Sequence, residues 1–215
     1  NRKHFAAAAI AAAAAYATPV FAQSTLNVIC PVQAEWCNAA AVAFEKETGI
    51  KVGMTLKGSG ESFAQIAAEK ANPKLDVWFG GTGDPHLQAA EQGLLEEYKS
   101  PLLAQLQPWA QKQAEQSKYR TVGIYLGALG IGYNTELLAK KKVAAPACWK
   151  DLVKPEFAGE VQMANPNASG TAYTAIATLV QVFGEEEAFK YLKALHRNIN
   201  NYPRSGVAPI EAAAR

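Results

Sequence analysis

Glycines and hydroxyl-bearing residues gather at three places, each between a run suited to a β-strand and a run with helical periodicity. The clearest is Asp76-Val77-Trp78-Phe79-Gly80-Gly81-Thr82-Gly83-Asp84-Pro85. Residues 77–79 read as a buried strand, Asp84 as a helix cap and Pro85 as the first helical residue, where a missing N–H costs nothing. Gly81, Thr82 and Gly83 then leave open backbone at a helix start. Such a loop offers free N–H groups and the positive end of a helix dipole, which suits an anion. Gly58-Ser59-Gly60-Glu61-Ser62 repeats the pattern between the β-like run 51–56 and the helical stripe Phe63, Ile66, Ala67 and Lys70. Asn165-Pro166-Asn167-Ala168-Ser169-Gly170-Thr171 repeats it before Ala172, Ile176, Leu179, Val180 and Phe183. Helix capping accounts for any one of these clusters. Three in one chain point to a ligand site.

Other chemistries find less support. In Gly81-Thr82-Gly83 the third glycine of a dinucleotide fingerprint is replaced by His86, and no Gly-Lys-Ser/Thr follows any glycine loop. Ser59 lies between Gly58 and Gly60, but no G-x-S-x-G nucleophile elbow occurs. His86 near a helix start and His196 near a helix end have no metal-ligand spacing and read as cap or surface residues. No catalytic residue and no metal ligand is assigned, and a secreted α/β enzyme acting on an anionic small molecule is the alternative from a different class. The Glu185 to Glu187 run and the later Lys190, Lys193, His196 and Arg197 complement a helix dipole and need no binding role.

The first residues set the compartment. Arg2, Lys3 and His4 precede an alanine-rich apolar run too short to span a bilayer, ending in Thr18-Pro19-Val20-Phe21-Ala22. This is the pattern of a secretory signal peptide over 1–22, cleaved after Ala22, and the mature protein is expected to be periplasmic, soluble and monomeric. Loss of Arg2 and Lys3 with the leader takes the formal charge from +2 to zero. No basic surface for nucleic acid is implied. In an oxidising compartment Cys30 and Cys37 are candidates for a bridge, buried free thiols being the other reading, and Cys148 is left over. The chain has no initiator Met and stops within an apparent helix at Arg215, so it reads as a fragment.

Alternating strand and helix patterns give an α/β class with a mainly parallel sheet. Strands are expected at 26–30, 50–56, 75–79 and 159–164, and helices around Trp36 to Phe44, from Asp84 to Gly93, from Ala172 to Gly184 and from Glu185 onwards. The β-prone run 122–134 is broken by four glycines and reads as strands crossing between two lobes. The expected division is lobe 1 over 23–122, a crossing or hinge over 123–134 and a partial lobe 2 over 135–215.

The first strand, Phe44-Glu45-Lys46-Glu47-Thr48-Gly49, Asp76 to Gly81, Gly130-Ile131-Gly132-Tyr133-Asn134 and Trp149-Lys150-Asp151-Leu152 together resemble the extracellular solute-binding proteins of ABC importers. The similarity is to the ferric-iron and phosphorylated-solute receptors, and covers essentially everything after the leader. It implies a two-lobed, type 2 periplasmic-binding-protein fold, incomplete at the C-terminus, that closes on its ligand by hinge motion and delivers it to an inner-membrane ABC permease. Ser59, Gly60, Gly81, Thr82 and Gly83 then serve the first lobe, Asn167, Ala168, Ser169, Gly170, Thr171 and Ser205 the second, with Gln33 and Glu35 as further candidates. Receptors of bare Fe(III) are expected to use an early His and a later tyrosine pair. Here Pro31-Val32-Gln33-Ala34-Glu35 lacks His and no adjacent Tyr pair precedes Arg215. A phosphorylated sugar or organophosphate is therefore preferred. No cofactor is expected, and Fe(III) enters only as the alternative transported ligand.

Overall fold

The computed structural model describes residues 25–215. The expected leader over 1–22, with its cleavage point after Ala22, lies outside the described residues. Strand β1 (Thr25–Cys30) is central in a three-stranded parallel sheet of order β2-β1-β3. It pairs along its whole length with β2 (Lys51–Leu56), Thr25 opposite Lys51 and Cys30 opposite Leu56, and more briefly with β3 (Val77–Trp78), Ile29 opposite Trp78. A strand covered on both faces must be apolar along its inner length, and Val28, Ile29 and Cys30 are buried.

Parallel pairing requires crossovers, supplied by α1 (Ala34–Thr48) between β1 and β2 and α2 (Ser59–Ala68) between β2 and β3. α1 stops at Gly49, whose φ of +73° is left-handed and whose N–H donates to Glu45 O. The expected strand 75–79 is regular only at its centre. Its flanks still pair: Asp76 N–H donates to Asn27 O at 2.9 Å, Phe79 N–H donates to Ile29 O at 2.9 Å, and Asp76 Oδ2 accepts from Asn27 N–H. α3 (Gly83–Glu91) follows β3, and α4 (Pro108–Gln116) comes later.

The C-terminal half carries α5 (Thr135–Lys141), α6 (Gly170–Phe183), α7 (Glu185–His196) and α8 (Ala208–Ala213), with a two-stranded parallel sheet of β4 (Val161–Gln162) and β5 (Ile199–Asn201). Leu152, Leu179, Ala188, Tyr191 and Leu195 form its core, and Phe183 meets Tyr191 edge-on with centroids 5.5 Å apart. The buried Asn198 amide donates to Leu152 O and Lys154 O, so this polar side chain is satisfied inside an apolar core. Among the described residues, no helix is long and apolar enough to cross a membrane.

Three expectations change. The run 122–134 contains no strand, and Ile124, Tyr125 and Leu126 are exposed. β-propensity alone does not make a strand; a ladder needs a partner edge, and none lies alongside this segment among the described residues. Second, α3 begins at Gly83 with Thr82 at the N-cap, so Asp84 and Pro85 sit inside the first turn. Proline is accepted there because none of the first-turn N–H groups has an acceptor within the helix. Third, α2 begins at Ser59, which places Ser59 and Gly60 in a first helical turn rather than a loop. The cysteine alternatives resolve into a Cys30–Cys37 disulfide with Cα atoms 6.2 Å apart, and Cys148 is an exposed free thiol.

Candidate functional site

Each parallel strand ends where a helix begins, and three of these helix starts come together. In open α/β sheets the crevice beyond the carboxyl ends of the strands is where ligands bind. A Cβ placed on Gly170, the first residue of α6, would lie 2.3 Å from Thr82 Oγ1 and 2.7 Å from Ser59 Oγ. A Cβ on Gly81 would lie 2.8 Å from the same Ser59 hydroxyl and 2.6 Å from Pro31 Cγ. The starts of α2, α3 and α6 thus share one point lined by two hydroxyls. Only glycine fits at 81 and 170.

A direct backbone contact joins the two halves beside that point. Gly60 N–H donates to Ala168 O at 3.2 Å, and a Cβ on Gly58 or Gly60 would lie 2.2 Å from the carbonyl oxygens of Ala168 and Asn167, respectively. The carbonyl of Ala168 therefore occupies a donor at the N-terminus of α2, the position where an anion would sit. Ser169 caps α6 by accepting from Ala172 N–H, and Asn165 Oδ1 accepts from Asn167 N–H to shape the loop. Thr82 Oγ1 and Ser62 Oγ are buried without hydrogen-bond partners. An unpaired buried hydroxyl is costly, and that at Thr82 borders the shared point.

The Gly80-Gly81 turn is held from two sides. Both residues have left-handed φ, +86° and +96°. His86, stacked on Trp78 at 3.8 Å, places Nε2 2.9 Å from Gly80 O, so this nitrogen carries the proton. Burial pulls the His86 pKa below its usual value, partly offset by the Gly80 carbonyl. Tyr125 Oη accepts from Gly81 N–H at 2.8 Å and donates to Gly81 O at 2.9 Å; desolvation pushes its pKa above its usual value, partly offset by the Gly81 hydrogen bond. Glu61 in α2 accepts from Gly58 N–H and pairs with Arg204, which reaches across from the loop after β5. This ion pair ties the two halves at the same mouth.

The structure brings Ser59, Gly60, Gly81, Thr82, Ala168, Ser169 and Gly170 together, with Gly83 in the first turn of α3 and Asn167 contributing its carbonyl. Thr171 and Ser169 stand against Gly206, where a Cβ would lie 2.5 Å from Thr171 Oγ1, and Thr171 also lines a cavity of about 660 Å³ between the 129–138 segment and α6. Three expected residues do not join. Gln33 is the N-cap residue of α1, Glu35 is exposed and its side chain makes no hydrogen bond or ion pair among the described residues, and Ser205 is exposed with its hydroxyl accepting from Val207 N–H. The β1–α1 loop touches the site through Pro31 instead. Sequence reading missed Tyr125 and Arg204, because each acts on a residue distant in the chain, and it left His86 as a cap or surface residue although its ring stacks on Trp78 and holds Gly80; the glycine pair was the available signal for Tyr125 and His86. Among the described residues no group of three or more His, Cys, Asp or Glu could hold a metal ion.

Open parallel sheets with convergent helix starts define an α/β ligand-binding class, and comparison with known proteins identifies which. A family model described as bacterial extracellular solute-binding protein matches residues 72–212. The chain belongs to that family. It is 44% identical over 209 residues to an uncharacterized protein of Haemophilus influenzae, covering 97% of this chain and 60% of that protein. Among solved structures it resembles the periplasmic binding protein AfuA of Actinobacillus pleuropneumoniae with exogenous fructose-6-phosphate bound. That likeness has a TM-score of 0.81 and 44% identity, and covers 89% of this chain and 60% of the other. Iron-bound HitA from Pseudomonas aeruginosa is also similar, with a TM-score of 0.66 and 25% identity over 88% of this chain and 59% of that one. The fold is that of the periplasmic binding proteins, as the sequence implied. The chain spans about 60% of the length of these relatives.

Proposed function

We propose that this protein is the periplasmic receptor of an ABC importer and captures the phosphoryl group of a small phosphorylated solute, a sugar phosphate or organophosphate, between two lobes. The carrying observation is the meeting of three helix N-termini at Ser59, Thr82 and Gly170. Three dipole ends and neutral hydroxyl donors recognise a dianion through charge-assisted hydrogen bonds without a buried countercharge. In the bound state a phosphoryl oxygen takes the place that the Ala168 carbonyl holds at Gly60 N–H. Residues 23–122 and 135–215 act as the lobes and 123–134 as the connection about which they move; ligand contacts present only when the lobes meet favour closure. The closed form is what an inner-membrane permease reads.

Binding without turnover is the reading the site supports, since the converging groups are hydroxyls and amides and the basic groups nearby are committed: His86 to Gly80 O and the Trp78 ring, and the Glu61 carboxylate to Gly58 N–H and Arg204. The leader-like sequence over 1–22 and the periplasmic location of the relatives support export. Fe(III) is the weaker ligand, because the converging groups hold no carboxylate, imidazole and phenolate set. The test is a thermal-shift panel of fructose 6-phosphate, fructose, inorganic phosphate and Fe(III)-citrate. A phosphorylated ligand at about a hundredfold excess over Kd raises Tm by about 5–10 °C. Stabilisation by Fe(III)-citrate, and by no phosphate ester, would overturn the reading.

A further inference from the structure

We infer that Tyr125 is a positioning residue, which links the connection between the lobes to the ligand loop by fixing the Gly81 peptide and so aiming the Thr82 hydroxyl into the cleft. The inference rests on the binding reading above. One phenolic oxygen satisfies both backbone groups of Gly81, accepting from its N–H at 2.8 Å and donating to its carbonyl at 2.9 Å. Gly81 needs such a hold. Its φ of +96° lies outside the α and β regions, and two successive left-handed residues give a backbone with no ladder to define it.

Thr82 follows directly. Its Oγ1 is buried, makes no hydrogen bond, and borders Gly170 in the opposite half. Rotating the Gly81 peptide would swing this hydroxyl away from that point. Tyr125 is itself braced, with the Trp36 ring edge-on at 5.8 Å and the start of its segment pinned where Gly123 lies against the Trp109 ring. Neither regular strand nor helix holds residues 121–134, so the phenol–Gly81 pair is the hydrogen-bonded tie between this segment and the β3–α3 loop. Any change of angle at the connection reaches Thr82 through it. A phenol is neutral at physiological pH and can donate and accept at once, which is what this geometry uses.

The experiment is a double-mutant cycle by calorimetry with fructose 6-phosphate, using Tyr125→Phe, Thr82→Val and the pair in the protein. Phenylalanine keeps the ring and its contact with Trp36. Tyr125→Phe is expected to weaken binding about tenfold alone, and less than twofold in the Thr82→Val background, because its effect passes through that hydroxyl. Equal losses in both backgrounds, or no loss, would overturn it. Amide hydrogen exchange gives a readout independent of ligand: Tyr125→Phe should speed exchange at Gly81 and leave the β1–β2 ladder protected. If the wild type binds no phosphate ester, the binding reading fails by itself, and Gly81 exchange still decides the hold by Tyr125. Unchanged Gly81 exchange in Tyr125→Phe rejects it.

Discussion

Residues 25–30 and 122–134 are both apolar and β-prone, yet one is the centre of a sheet and the other has no regular structure. β1 has an edge on each side, and Ile29 is 0% exposed. The later run has no edge to join, and Ile124 is 48% exposed. Pairing, rather than composition, decides which run becomes rigid. The two outcomes suit two tasks. The sheet holds the starts of α2 and α3 in fixed relation, which a preorganised site needs, and the unpaired run carries the phenol that reaches the ligand loop. A hydrogen-bonded ladder lies under the donors, and a segment held by side chains lies beside them.

The sharpest way to test this contrast is to truncate one residue in each region. Ile29→Ala should destabilise by about 2–4 kcal/mol in urea denaturation, because it opens a cavity in a fully buried position. Ile124→Ala should change stability by no more than about 0.5 kcal/mol. Similar costs at both sites would remove the distinction. Next in size is the Cys30–Cys37 disulfide, which ties the end of β1 to α1 across the loop that touches Gly81 through Pro31. Replacing both cysteines by serine should cost about 2–3 kcal/mol by loop-closure entropy, read as a lowered denaturation midpoint that reducing agent no longer shifts. An unchanged midpoint would mean the sheet alone fixes that loop.

The smallest effect belongs to a turn in the C-terminal half. Lys154 beside Asp151, with Ala147 and Cys148 N–H groups donating to it, holds the Asp151 carboxyl down at about 2. A depressed carboxylate contributes stability that is complete above its ordinary value of 3.8 and is lost as pH falls towards 2. Asp151→Asn should therefore flatten a slight decline in Tm over that range and leave neutral-pH binding alone. A variant with the same acid profile as wild type would place the decline elsewhere.

Local chemistry was legible in the sequence. Gly49 as a left-handed helix stop, the α/β alternation and the three glycine–hydroxyl junctions all follow from rules acting over a few residues. What local rules blurred was where each helix starts, because Pro85 is tolerated throughout a first turn, and the N-cap of α2 is Gly58, which has no side chain to mark it, with Glu61 three residues on accepting from its N–H. Tertiary relations were not readable. Ser205 has the right residue type but turns its hydroxyl to its own backbone, while its neighbour Arg204 crosses to Glu61, 143 residues away in sequence. The phenol of Tyr125 lies 44 residues from the glycine it holds. Pairings at that separation come from the fold, and no spacing rule announces them.

The most direct test of the convergent site is calorimetric titration of the wild type and Ser59→Ala with fructose 6-phosphate and with fructose. Ser59 is buried where the Gly81 and Gly170 backbones meet. A saturable one-to-one complex with the phosphate ester alone, weakened at least about tenfold by Ser59→Ala with the fold intact by circular dichroism, is the outcome required. Equal affinity for the unphosphorylated sugar, or full affinity in Ser59→Ala, would contradict capture of a phosphoryl group by these helix starts.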